Sequence, residues 1–205
     1  MCLIGQLKAT HMFYEKNNSS VVEFFGLPGS GKTYAYNYLQ KSLPKKVVLH
    51  TRISFLELFF WTRVIFIESI KVRKMSLIRF KLSLLRQMLK KEVIMYDDKY
   101  ILDEGWLQRI LSFYESKISS ASLLKIYKHV SRADVVIFFE RGHDHYFSRY
   151  NNPDNTRAAL GSSYLSGWKK VLTHNHEIIK EFLLKQNILT KESNQKNNDI
   201  VKLLQ

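Results

Sequence analysis

Cysteine is almost missing from this sequence. Cys2 stands alone, so no internal disulfide can staple the fold. Three prolines and 8 glycines are too few for a collagen-like or low-complexity chain. Acid is scarce as well: 18 Asp+Glu face 32 Lys+Arg, which leaves a formal net charge of +14. No uninterrupted apolar run approaches the about 20 residues a membrane-spanning helix needs. The nearest candidate, 55–70, contains Glu57, Arg63 and Glu68. It reads as a buried or pocket-lining helix, with an interfacial helix as the alternative. Residues 1–18 lack a charged stretch leading into a sustained apolar one, so no signal peptide is read there. Together with the lone cysteine this points to a reducing, cytoplasmic setting.

What is present is the composition of one globular domain: 205 residues, 45% hydrophobic and 24% charged. The positive balance suits three kinds of acidic partner: nucleic acid, an anionic membrane, or phosphorylated small molecules. Short apolar, β-branched or aromatic runs predict strands at 21–25, 47–50, 100–102, 134–139 and 187–190. Helical stretches fall between them: 32–43, stopped by Pro44, a long span over 55–91, then 107–117, 122–130 and 166–185. A closing helix is expected over 199–204. Strands alternating with helices imply crossover connections, hence an α/β fold with a parallel sheet of about five strands flanked by helices in three layers. Residues 1–20 read as an N-terminal extension, 52–95 as a helical insertion and 141–161 as a turn-rich segment.

The sharpest motif is Gly26-Leu27-Pro28-Gly29-Ser30-Gly31-Lys32-Thr33, set between a strand and a helix. Glycines let backbone amides close around phosphate oxygens. The following helix presents the positive end of its dipole to the anion. Lys32 can reach the β- and γ-phosphates, and the Thr33 hydroxyl can serve Mg²⁺. The motif therefore calls for a nucleoside triphosphate with Mg²⁺.

On these residues the chain resembles the P-loop NTPases. The inner spacing, Gly-Leu-Pro-Gly-Ser-Gly-Lys-Thr, looks most like the adenylate-kinase-like branch of small-molecule kinases. The resemblance implies ATP-dependent transfer of the γ-phosphoryl group to a nucleoside, nucleotide or sugar. An NTPase that couples hydrolysis to a conformational change is the alternative, as is an ATP-binding module at an anionic membrane surface.

The run Tyr100-Ile101-Leu102 ends in Asp103-Glu104-Gly105. In a parallel sheet the strand ends meet the ligand edge, so Asp103 should serve Mg²⁺. Asp103 or Glu104 should accept the proton of the attacking hydroxyl or water. In nucleoside and thymidylate kinases the equivalent acid is followed by Arg; here Glu104 and Gly105 follow. An acid pair also occurs in ABC-type ATPases. Their signature precedes the acidic strand, however, whereas Leu165-Ser166-Gly167 follows it and Trp168 breaks the pattern. No guanine-recognition motif is present. Asp97-Asp98 precedes the strand and is expected to be a solvated turn at the opposite edge.

Kinases of this resemblance carry a lid after the fourth strand, with arginines that close on the phosphates. Arg141, Arg149 and Arg157 are the candidates, and Arg149 and Arg157 bracket the turn 151–155. His143 and His145 flank Asp144 without a third ligand nearby, so solvent exposure is expected. Between Lys71 and Lys91 the chain carries Arg73, Lys74, Arg79, Lys81, Arg86 and Lys90 besides, and no acid. The plainest reading is a solvated helix face. The resemblance places acceptor-binding helices here, which nominates Arg79 and Arg86, with Arg52 a further candidate. A peripheral contact with an anionic membrane is the third reading; the segment carries no recognised nucleic-acid motif.

Overall fold

A computed structural model describes residues 20–42, 47–50, 54–130, 133–140, 147, 156–186, 188–193 and 204. Its centre is β1 (Ser20–Phe25), in which every residue after Ser20 is buried. A strand buried on both faces has no polar side to show, which is why this one reads as an apolar run, broken at Glu23. The loop 26–31 leads into α1 (Lys32–Ser42). Then come β2 (Val47–His50), α2 (Phe55–Lys71), α3 (Ser76–Lys90), β3 (Glu92–Tyr96), β4 (Lys99–Leu102), α4 (Trp106–Phe113), α5 (Ser120–Tyr127) and β5 (Val135–Phe139). A short 3₁₀ turn at Ala158–Leu160 precedes α6 (Ser162–Lys185) and β6 (Leu189–Ser193).

The strands form one sheet in the order β2-β3-β4-β1-β5-β6. β4, β1, β5 and β6 are parallel, as the alternation of strands and helices requires. The sheet has one strand more than expected, and its far side is antiparallel: β3 pairs with both β2 and β4 in that sense. Residues 92–95, expected to close the helical insertion, belong to β3. Asp97 and Asp98 form a two-residue turn between β3 and β4, both with positive φ (48° and 55°). Paired left-handed residues match the twist of a hairpin, so the expected solvated turn is a hairpin tip, at the edge away from the end of β4.

The two faces of the sheet are covered unequally. Val22, Phe24, Ile137 and Phe139 meet Ala35, Tyr36 and Leu39 of α1, together with Leu204. Val21, Phe25, Val136 and Phe138 meet the larger core contributed by α2 through α6. Glu23 falls between Val21 and Phe25 on the second face and is fully buried. The first turn of α2 is fixed by Ser54, whose Oγ accepts from the amide of Glu57. No helix among the described residues is long and apolar enough to cross a membrane.

Candidate active site

Because β1 and β4 are parallel neighbours, the phosphate loop and the acidic turn emerge at the same edge of the sheet. The loop is built as its glycines require: Gly29 and Gly31 have φ of 89° and 99°, angles that side-chain-bearing residues rarely adopt. The Ser30 amide donates to the Leu27 carbonyl at 3.1 Å and tightens the turn. Lys32 folds back over the loop. Its Nζ donates to the carbonyls of Gly26 (2.7 Å) and Leu27 (3.2 Å) and to Ser30 Oγ (3.4 Å). The ammonium is thus buried against the oxygens of the loop itself.

Thr33 and Asp103, seventy positions apart, meet: Thr33 Oγ1 lies 3.4 Å from Asp103 Oδ2. Asp103 is buried, and its Oδ1 has no hydrogen-bond partner among the described residues. A hydroxyl and a buried carboxylate oxygen beside a phosphate loop are hard oxygen donors, the kind Mg²⁺ takes. No cluster of three or more His, Cys, Asp or Glu among the described residues could hold a metal by itself.

Lys91 is the residue that the sequence reading left out of the site. It follows the last turn of α3, and its Nζ lies 2.6 Å from Asp103 Oδ2 and 3.2 Å from Glu104 Oε1. Burial opposes its charge, but the two carboxylates outweigh burial and raise its pKa above the ordinary lysine value. It holds both acids in one place. The one signal that could have found it is its position at the boundary between α3 and β3, beside the end of the acidic strand.

Behind this pair, Glu23 Oε1 accepts from the amides of Leu107 and Gln108 at 2.9 and 3.2 Å. It pins the start of α4, and with it the turn that carries Asp103 and Glu104. Gly105 is required there, since a Cβ at that position would overlap the Glu23 carboxylate. Burial drives the Glu23 pKa up to about 8, against the lowering pull of the Gln108 and Leu107 amides and the Arg109 charge. Arg109 itself pairs with Glu57 at 2.6 Å, tying α4 to α2.

A cleft of about 340 Å³ opens from the loop. Pro28, Lys91 and Glu104 lie at its phosphate end. Phe80, Leu84, Gln87 and Met88 of α3 line it, as do Gln108 and Leu111 of α4 and Trp168 and Leu172 of α6. The cleft face of α3 thus follows helical spacing, and Arg79 and Arg86 are not on it: both are exposed. Gln108 Oε1 is buried there with no partner among the described residues.

Arg157 also borders the cleft, although not on an open arm. It is buried, donating to Glu115 (2.8 Å), the Tyr164 hydroxyl (2.6 Å) and the Ser112 carbonyl (2.9 Å). Its guanidinium stacks 4.2 Å from the Trp168 ring centroid. Glu115 also takes Lys81 Nζ at 2.7 Å, so a cation expected on a solvated helix face is fully buried. The reason is local: a buried carboxylate and the Phe113 carbonyl, 2.7 Å away, both receive it. Arg52, Arg141, Arg149, His143 and His145 lie outside the described residues. From the expected lid region Phe147 is described, its amide donating to the Pro28 carbonyl at 3.5 Å.

No protein-family model matches the chain, and no curated protein matches it. Among solved structures it is similar to "Structure of deoxyadenosine kinase from M.mycoides with bound dATP", at 14% identity. That likeness covers 90% of this chain and 98% of the other, with a TM-score of 0.46. The fold is of the P-loop kind on the chain's own geometry: a central parallel strand, the glycine loop, a helix begun by Lys32 and Thr33, and an acid at the end of the neighbouring strand.

Proposed function

We propose that the chain is an ATP-dependent phosphotransferase that moves the γ-phosphoryl group to a hydroxyl of a small acceptor. The observation that carries this reading is the cleft. It runs from Pro28 and Glu104 to Trp168, so an acceptor in it would have the phosphate loop at one end and a carboxylate beside its hydroxyl. An enzyme that only hydrolysed ATP would need no such second space beside the phosphate loop.

The amides of 26–33 and Lys32 would hold the triphosphate, and Thr33 and Asp103 would hold Mg²⁺ with it. When bound, the ion supplies positive charge to the phosphate oxygens. Glu104, partly exposed where Asp103 is buried, is the better placed of the two acids to take the hydroxyl proton. The acceptor oxygen bonds to the γ-phosphorus as the bond to the ADP oxygen breaks, and the proton passes to the carboxylate. Lys91 keeps Glu104 and Asp103 in register. Trp168 and Phe80, which flank the Arg157 guanidinium, would form one wall against the acceptor, with Gln108 Oε1 to accept a hydrogen bond from it. Arg157 fixes that wall, and Arg149 is left as the candidate for closing on the phosphates.

An acceptor screen read by ADP release tests the proposal. ADP release that depends on one class of hydroxylic acceptor, and is lost in Glu104→Gln, is expected. Equal release with and without any acceptor would overturn the transferase reading in favour of hydrolysis. Retained ATP affinity in Lys32→Ala would overturn the nucleotide site itself.

A further inference from the structure

One face of α2 is unaccounted for by the site. Phe55, Leu56, Phe59, Phe66, Ile67 and Ile70 are exposed, from 41% to 81%. At 100° per residue they share an arc of about 120°, and Arg63 projects from its middle. The opposite face, with Trp61, Val64 and Ile65, packs into the core. The helix is therefore rigidly held with its apolar side outward, and a patch of this kind marks an interaction surface.

Charge identifies the partner. The two acids of α2 are both turned inward and neutralised: Glu57 pairs with Arg109, and Glu68 with Lys71. Exposed positions of α2 are otherwise apolar or basic, and the basic ones continue past its end into Arg73 and Arg79 beside exposed Met75. A two-fold contact between copies must supply its own counter-charges, since the same patch serves both sides. This patch has only cations to offer itself. An apolar arc rimmed and punctuated by Lys and Arg, with no exposed acid, is instead the composition of a helix that lies in an anionic lipid interface.

We infer that the exposed face of α2 is a docking surface for an anionic lipid bilayer. The helix lies along the interface, with Phe55, Phe59, Phe66 and Ile70 among the acyl chains and Arg63 and Arg73 at the headgroups. Docking leaves the phosphate loop and cleft free, since none of these side chains lines them. This inference does not depend on which reaction the site performs.

The test is co-sedimentation of the full chain with vesicles. Phosphatidylcholine vesicles containing phosphatidylglycerol should carry it down, and phosphatidylcholine alone should not. Salt near 1 M should release most of the basic contribution. Arg63→Glu should weaken partitioning by about tenfold or more. Phe59→Glu with Ile70→Glu should abolish it and leave ATP affinity unchanged. These positions are exposed, so an unaltered circular dichroism spectrum is expected of all the variants. Failure to sediment with the anionic vesicles would overturn the inference, as would sedimentation that both sets of substitutions leave intact. Self-association in the absence of vesicles, broken by Phe59→Glu with Ile70→Glu, would overturn it too and would make the face an interface between copies.

Discussion

A single missing atom at Gly105 lets the acidic turn and the central strand share space. An added Cβ there meets the Glu23 carboxylate, which cannot swing away without abandoning the amides of Leu107 and Gln108. Gly105→Ala should cost about 2–3 kcal/mol of stability, measured by urea unfolding. Turnover should fall with it, because Asp103 and Glu104 hang on the same turn. Adding Glu23→Ala should recover part of the loss, since the clash is then gone; strictly additive penalties would refute the steric account. Glu115 poses the opposite problem, of charge instead of volume. It pairs with both buried Lys81 and buried Arg157. Glu115→Gln removes the carboxylate charge facing both cations and should cost about 3–5 kcal/mol. Lys81→Met in that background should restore much of it, and both can be followed by thermal denaturation.

Elements carry a different kind of information. β3 went unread because its apolar residues follow a basic amphipathic helix with only Lys91 between. The two-residue Asp97-Asp98 turn was the signal that a hairpin, and so a further strand, precedes β4. Its left-handed angles suit glycine better than aspartate. Asp98→Gly should accordingly stabilise the chain by about 0.5–1 kcal/mol in urea unfolding, and a loss instead would show that Asp98 holds the turn by other means. The central architecture was legible: β1, the loop, α1, β4 and β5 announce themselves by apolar runs ending in chemistry-bearing residues. Lys32 and Thr33 stand out by the spacing of one motif, and Asp103 and Glu104 by an apolar run that ends in acids; the fold brings Thr33 and Asp103 together. Lys91, Gln108, Trp168 and the partners of Arg157 were not legible. They lie on or beside three elements, and only the crossing of α3, α4 and α6 brings them together. Ile78 and Leu85 lie on the buried side of α3. Sequence periodicity cannot tell that Lys81, on the same buried side, has a carboxylate waiting for it, whereas Arg79 and Arg86 do not.

At the scale of the whole molecule, the excess of cations separates into two populations with different consequences. Exposed cations on and after α2 act outward and are screened by salt. Buried ones are neutralised within the fold, and their titration is coupled to folding. Three buried groups pull the pH profile in different directions. His176 and Lys81 have pKa values lowered by burial, the latter to about 8, so each makes stability rise with pH across its own range. Glu23 does the reverse. Its folded pKa of about 8 lies above the unfolded value of 4.5, so the folded chain holds a proton that the unfolded chain releases. The resulting stability is fully present below about pH 4.5 and drains away as pH rises through 8. Glu23→Gln keeps the shape and the accepting oxygen for Leu107 and Gln108 while removing the titration. The difference in midpoint temperature, native minus variant, should therefore fall steadily between pH 5 and pH 8.5, while His176 and Lys81 cancel because both proteins retain them. A difference that stays flat over that range would mean that Glu23 is ionised within the fold, with the start of α4 and Arg109 carrying its charge.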